Sequence, residues 1–375
     1  MTPRRMIFAA LLVPLVGPIA RSEEPIRLDQ IQVIGSHNSY HIAPAFEVLG
    51  LVGEHGPSLA RGLDYTHRPL AEQFSDLGIR QVELDVFADP EGGHYANPAA
   101  RRILRGLGRE AGPDPNDRGQ LAKPGLKVFH IQDIDYRTTV PTFLGALSQV
   151  RDWSRSHPRH VPILVLVELK DEPVAALPTR PRPFGPAELD SVDAEIRSVF
   201  ADGEFLAPDD VRGASSTLRD AVRGRGWPRL DDVRGQVFFA LDNEGPIRAR
   251  YLEGHPGLEG RAMFATVSPD HPAAARMKVN DPVADFDRIQ SLVKQGFLVR
   301  TRADADTAQA RTNDPSRRDR ALASGAQFVS TDFAEPRLDL SPYRVRLPGN
   351  AVARTNPVSP DAPRRDSDRE GPTAP

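Results

Sequence analysis

Two histidines and a group of acidic residues stand where short apolar runs end. His37 follows the run Ile31–Ile34 and Gly35-Ser36, and His130 closes Val128-Phe129. A neutral imidazole accepts a proton near pH 7 and an imidazolium gives one, so the pair suits concerted acid and base work. Glu83 and Asp85 interrupt Val82, Leu84 and Val86. Glu168 and Lys170 flank Leu169, and Arg300 and Arg302 flank Thr301. Side chains two apart on a strand face the same side, so each pair projects together. A single carboxylate could be satisfied by a neighbouring Arg or Lys. Three of them, Glu83, Asp85 and Glu168, accumulate negative charge that is costly to bury unpaired. A divalent cation resolves that conflict. Oxygen donors without cysteine point to calcium or magnesium before zinc. Asn38 adds a neutral amide oxygen to the same shell.

The residues that must position this chemistry form eight apolar or β-branched runs: Ile31–Ile34, Gln81–Phe87, Leu126–Ile131, Pro162–Leu169, Gln236–Leu241, Ala262–Val267, Gly296–Thr301 and Gln327–Thr331. Stretches of helical spacing lie between several of them, at Pro69–Leu77, Val140–Trp153 and Arg317–Ala323. Eight strands alternating with helices predict an α/β fold, a TIM-type (β/α)8 barrel in one domain. Long insertions at Glu91–Lys123 and Pro173–Pro186 are expected as surface loops, where barrels carry function. The stretch Asp202–Arg234 has no clear place in this pattern. His67 is expected to fix a loop and His41 to line the site. His55, His94, His157, His160, His255 and His271 lie in polar or Pro/Gly-rich surroundings that predict the surface.

The 375 residues are 39% hydrophobic and 26% charged, which suits a globular protein. A formal charge of −3 gives no basic face for nucleic acid. Arg4 and Arg5 precede an apolar run from Met6 to Val16, and Ala20 and Ser22 are small. This pattern predicts a secretory signal over residues 1–22, cleaved after Ser22, and a secreted or periplasmic protein. The run is too short for a transmembrane segment, which needs about 20 apolar residues. Removing it takes away three arginines and no acid, so −3 becomes −6. The absence of cysteine excludes a disulfide scaffold and Cys-ligated metals. Residues 23–346 are expected to form the barrel, and residues 347–375, rich in Pro, Arg and Asp, a disordered tail. No basic amphipathic helix or aromatic cluster announces a membrane-docking face.

The ordered set Gly35-Ser36-His37-Asn38-Ser39-Tyr40, Val82-Glu83-Leu84-Asp85-Val86, Phe129-His130 and Val167-Glu168-Leu169-Lys170 resembles the calcium-dependent phosphatidylinositol-specific phospholipase C family of bacteria. Arg300-Thr301-Arg302-Ala303-Asp304 and Val329-Ser330-Thr331-Asp332 are similar to that family's last two strands. The likeness spans roughly Gln32 to Pro336. It implies a barrel that cleaves phosphatidylinositol to diacylglycerol and a cyclic inositol phosphate, with His37 and His130 catalytic and calcium on Asn38, Glu83, Asp85 and Glu168. Glu83 or Glu168 would help deprotonate the inositol hydroxyl. His37 would protonate the leaving diacylglycerol oxygen and His130 stabilise the phosphorane, or the two would exchange roles. Lys170, Arg300 and Arg302 would hold phosphate or inositol hydroxyls. The partner implied is a phospholipid at a membrane surface, met by a monomer. The Glu-x-Lys of Glu168 and Lys170 looks more like the glycerophosphodiester phosphodiesterases, the nearest alternative on the same barrel. That class usually opens with His-Arg-Gly, not the His37-Asn38-Ser39 found here. A non-catalytic lipid- or sugar-binding barrel is the other alternative, and the full set of catalytic residue types speaks against it.

Overall fold

A computed structural model describes residues 25–359. The expected signal segment and residues 360–375 lie outside the described residues. Ten strands occur in chain order among those described: β1 Ile31–Ser36, β2 Gln81–Phe87, β3 Lys127–Val128, β4 Ile163–Leu169, β5 Val237–Leu241, β6 Met263–Ala265, β7 Arg276–Lys278, β8 Leu298–Arg302, β9 Phe328–Thr331 and β10 Ala353–Thr355. Eight of them run parallel in the order β6-β5-β4-β2-β1-β9-β8-β7. A parallel bridge between Thr266 and Arg276 brings the two ends together, so the sheet curls into a nearly closed TIM-type (β/α)8 barrel. Helices surround it, among them Leu70–Asp76, Phe143–Ser156, Pro186–Val199, Phe286–Lys294 and Ser316–Ala323. β4, nearly continuous in Val, Ile and Leu, is buried along almost its whole length, as a central parallel strand must be.

Two of the expected elements differ. The run Leu126–Ile131 is not a barrel strand: only Lys127 and Val128 join the sheet, antiparallel to Val86 and Phe87 of β2. The barrel strand that takes its place in the count is β7, Arg276-Met277-Lys278. It escapes a search for apolar runs because Arg276 and Lys278 turn toward Asp242, where charge is balanced by ion pairs at 3.0 Å each. The count of eight holds, with one member exchanged.

The expected disordered tail is also corrected up to residue 359. Pro348–Asn350 forms a short 3-10 turn, and β10 pairs antiparallel with Ile31–Val33. β2 meets β1 only at Gly35 and Gln81, so the first half of β1 has a free edge. Backbone bonds along that edge, with Arg354 on Gln32 Oε1 at 2.6 Å, order a segment whose composition alone would not. At that single contact a Cβ on Gly35 would lie 2.1 Å from Gln81 Oε1. Only glycine admits so close an approach. His160, expected at the surface, is buried, with Nε2 2.7 Å from Ser154 Oγ and Nδ1 2.7 Å from the Val161 carbonyl.

Candidate active site

The C-terminal ends of the barrel strands collect the chemistry, as the fold requires. His37 follows β1, Glu83 and Asp85 lie on β2, Glu168 and Lys170 end β4, and Arg300 and Arg302 lie on β8. The segment 36–39 is held tightly. Ser39 Oγ accepts the Glu83 N–H at 2.8 Å, and Gln73 Nε2 donates to the Ser39 carbonyl at 2.6 Å. Asn38 adopts φ 44°, a left-handed conformation that asparagine tolerates better than most residues. Its Nδ2 donates to the Tyr65 hydroxyl at 3.0 Å, so the amide oxygen remains for another partner. His67 fixes the same loop through its Nε2, 2.8 Å from the His37 carbonyl.

Both histidines are oriented by buried aspartates. His37 Nδ1 lies 2.7 Å from Asp332 Oδ1, and His130 Nδ1 lies 2.7 Å from Asp135 Oδ2. A carboxylate only accepts, so each Nδ1 carries the hydrogen and each Nε2 is left for chemistry. His37 Nε2 lies 3.6 Å from Glu83 Oε1. Burial, helped by the Arg302 charge and opposed by Asp332, pushes the His37 imidazole well below the ordinary histidine range and keeps it neutral. Burial works to raise Asp332 and Asp135, but their histidine partners, with Arg302 beside Asp332, outweigh it and both stay ionised. His41 is completely buried between the Tyr65 carbonyl, 3.1 Å from Nδ1, and Asp135, 2.8 Å from Nε2. It clamps the aspartate that orients His130.

The carboxylates converge from β2, β4 and the end of β5. Oxygens of Glu83, Glu168 and Asp242 all lie within 4.8 Å of one another. Asp242 is a site residue that the sequence reading missed, although the signal was present: it directly follows the apolar run that forms β5. Asp332 and Asp135 were missed as orienting groups, and no spacing rule ties either to its histidine. Several carboxylates do have the cationic neighbours that a purely structural role would provide. Arg300 donates to Glu83 at 2.6 Å and to Ser330 at 2.8 Å, both buried, and to the exposed Asn280 at 2.6 Å. Lys170 Nζ lies 3.0 Å from Asp85 and 3.4 Å from Glu168. Arg302 pairs with Asp332 at 3.2 Å while its Nε, also buried, has no partner.

These cations do not complete the accounting. Asp85 is fully buried, yet neither oxygen has a partner in hydrogen-bond geometry, the Lys170 contact being a charge pair only. The Tyr40 hydroxyl beside it is buried without a hydrogen bond as well. Burial, with neighbouring acids adding to it, pushes Glu83 up to about 8 and Asp85 up to about 7 despite Arg300 and Lys170. An oxygen-only donor set with an orphaned carboxylate fits a hard divalent cation such as calcium. A cleft of about 720 Å³ opens beside this cluster, lined by His130, Glu168, Lys170, Asn243 and Lys278. A smaller one of about 320 Å³ adjoins Tyr65, His67 and Asp332. Its charges are largely mutually paired, Arg68 with Glu335 at 2.5 Å and Arg337 with Asp64 at 2.8 Å, so the larger cleft is the better place for a substrate.

A parallel barrel whose mouth joins two aspartate-held imidazoles to an acidic oxygen cluster defines the class: a TIM-barrel phosphoric diester hydrolase. Over residues 26–357 the chain matches the family described as phosphoinositide phospholipase C, Ca2+-dependent, and it belongs to that family. Among solved structures it resembles the calcium-dependent phosphoinositol-specific phospholipase C of a Gram-negative bacterium, Pseudomonas sp, with 14% identity over 89% of this chain and 97% of that one, at a TM-score of 0.51. A structure of that enzyme as a myoinositol complex matches with the same identity and TM-score, over 89% of this chain and 96% of that one. The Ca2+-dependent phosphatidylinositol-specific phospholipase C of Streptomyces antibioticus is 21% identical over 82% of this chain and 95% of that one, at a TM-score of 0.46. No curated protein matches the chain. No helix among the described residues is long and apolar enough to cross a membrane.

Proposed function

We propose that the chain cleaves phosphatidylinositol to diacylglycerol and a cyclic inositol phosphate, with two histidines dividing the proton transfers. The observation that carries this reading is the pair of imidazoles, each with Nδ1 fixed by an aspartate and Nε2 free, one 3.6 Å from Glu83 and the other lining the same cleft as Glu168. Asn38, Glu83, Asp85 and Glu168 would hold calcium, joined by Asp242. When bound, calcium supplies positive charge at the phosphate and lowers the pKa of a hydroxyl near it.

His37, with Nδ1 held by Asp332 and Nε2 turned toward Glu83, is placed to act as the base. Its Nε2 takes the proton of the attacking inositol hydroxyl, and Glu83 beside it steadies the imidazolium that forms. The hydroxyl oxygen bonds to phosphorus as the bond from phosphorus to the glycerol oxygen breaks. His130, which lines the open cleft, enters the step as the imidazolium, with Nδ1–H on Asp135, and gives its Nε2 proton to that departing oxygen, so one proton is taken and one returned. This scheme gives the hydroxyl proton to His37, where the family likeness implied Glu83 or Glu168, and gives protonation of the leaving oxygen to His130, where it implied His37 or, with the roles exchanged, His130. Arg302, with a spare buried Nε, and Lys170 face the phosphate charge, while Arg300 holds Glu83 in place. Asp332, Asp135 and His41 are positioning residues.

Purified protein given phosphatidylinositol should release diacylglycerol with calcium and none with a chelator. Cleavage of glycerophosphodiesters in place of phosphatidylinositol would overturn the assignment. Wild-type rates in both His37→Ala and His130→Ala would overturn the proton scheme while leaving the activity.

A further inference from the structure

The βα segments that follow β1 and β2 build a small helical cap of their own at the catalytic mouth. Its helices are Phe46–His55, Pro57–Gly62 and Ala99–Gly106. Val48, Val52, Ala100, Leu104 and Ala111 form a core separate from that of the barrel, with Tyr136 joining it one residue after the aspartate that orients His130. Arg109 Nη2 meets Glu47 Oε2 at 2.5 Å, which ties the end of the third helix region to the start of the first. The cap is therefore a built unit with a defined outer face.

That outer face is apolar where a water-facing surface would be polar. Phe46 is 84% exposed, Leu107 61%, Ile103 49% and Leu59 45%. With Val174, which lines the cleft itself, they are five of the eight large exposed hydrophobics among the described residues, and all five lie in segments that leave the C-terminal ends of strands. Exposed arginines interleave with them: Arg102 and Arg105 flank Ile103, Arg105 lying 3.9 Å from Asp114 and Arg102 having no acidic partner among the described residues. Apolar side chains that enter an acyl boundary, next to guanidinium groups that meet phosphates, are what an interfacial surface on anionic lipid requires.

We propose that this cap docks the enzyme on an anionic phospholipid bilayer, with Phe46, Ile103 and Leu107 entering the interface and Arg102 and Arg105 contacting its headgroups. The choice of occupant rests on the lipid-substrate reading. A scissile phosphate in the cleft leaves its acyl chains in the membrane, so the surface that covers this rim is the membrane. Tyr136 of the cap core follows Asp135, which orients the His130 that lines the cleft, so the cap stands beside the cleft, and Arg102 there has no carboxylate partner among the described residues.

The test uses the full chain and sedimentation with vesicles of phosphatidylcholine, alone or mixed with phosphatidylglycerol, an anionic lipid that is not the substrate. Wild type should bind the mixed vesicles better. Phe46→Ser/Ile103→Ser/Leu107→Ser should lose binding by about tenfold or more, and Arg102→Gln/Arg105→Gln should lose the preference for anionic lipid. Both variants should retain wild-type turnover of monomeric short-chain phosphatidylinositol. Phe46→Trp should show a blue-shifted emission on adding the mixed vesicles, a readout that does not depend on removing anything. Wild-type binding by the triple variant, or no shift in Phe46→Trp, would overturn the proposal, as would self-association through this face with no affinity for vesicles. If vesicles bind through the cap but phosphatidylinositol is not cleaved, docking stands and the activity assignment fails.

Discussion

Asp332→Asn keeps the shape of the side chain and removes the charge that holds His37. The contact is a 2.7 Å hydrogen bond from Nδ1 to a buried carboxylate kept ionised by its partners. A hydrogen bond to a charged group contributes about 1.5–3 kcal/mol. At about 1.4 kcal/mol per decade, losing it costs roughly 10- to 150-fold in rate if the whole term acts on ring orientation. The asparagine can also present its NH2 to Nδ1, which moves the ring hydrogen to Nε2 and removes the base. That pushes the loss toward the upper end. The assay is initial diacylglycerol release from phosphatidylinositol at saturating calcium, with kcat and KM separated and Tm recorded on the same samples. Expected is a fall in kcat of that size, KM changed by no more than about twofold, and a fold that still melts cooperatively. A kcat within about threefold of wild type at unchanged Tm would refute the claim that Asp332 sets the working tautomer of His37.

Calcium at about 100 times its Kd should stabilise the fold by about 2.7 kcal/mol and raise Tm, an effect chelation removes. Asp85→Asn should lose that calcium-dependent rise yet melt no lower than wild type in chelator, because the native carboxylate is buried without a hydrogen bond; a large loss of Tm in chelator would show that the Lys170 pair is what matters. Gly35→Ala should destabilise by about 1–3 kcal/mol through overpacking against Gln81, seen as a lower denaturant midpoint, and an unchanged midpoint would contradict the close approach. Burial, ahead of the opposing Leu126 backbone and Lys127, pushes the Glu195 carboxyl up to about 7 from an ordinary 4.5. The folded chain then keeps a proton that the unfolded chain has released, so stability falls as pH rises from about 4.5 to about 7. Glu195→Gln should raise Tm at pH 8 and leave it unchanged at pH 4, and equal shifts at both would exclude this titration.

The residue types of the site and their order along the chain were readable without coordinates. His37, His130, Glu83, Asp85, Glu168 and the arginines of β8 stand out because a charge that ends an apolar strand must be balanced or used, and that rule is local. The same locality explains the strands recognised, since a buried parallel strand writes its apolar run directly into the chain. What failed was everything that depends on a partner distant in sequence. Arg276 and Lys278 make β7 polar because Asp242 faces them across the barrel, and β10 forms because β1 leaves an edge open 322 residues away from Arg354 in the chain. Asp332 meets His37 across 295 positions, and no spacing encodes that pairing. The cap is the same case: Phe46 and Leu107 carry no membrane signal separately and form one apolar face only when helices from two loops pack together. Sequence determines which groups are present and which way neighbouring side chains point. Tertiary structure decides which nitrogen of each histidine is free, which carboxylate is left without a partner, and which apolar side chains have nowhere to be buried.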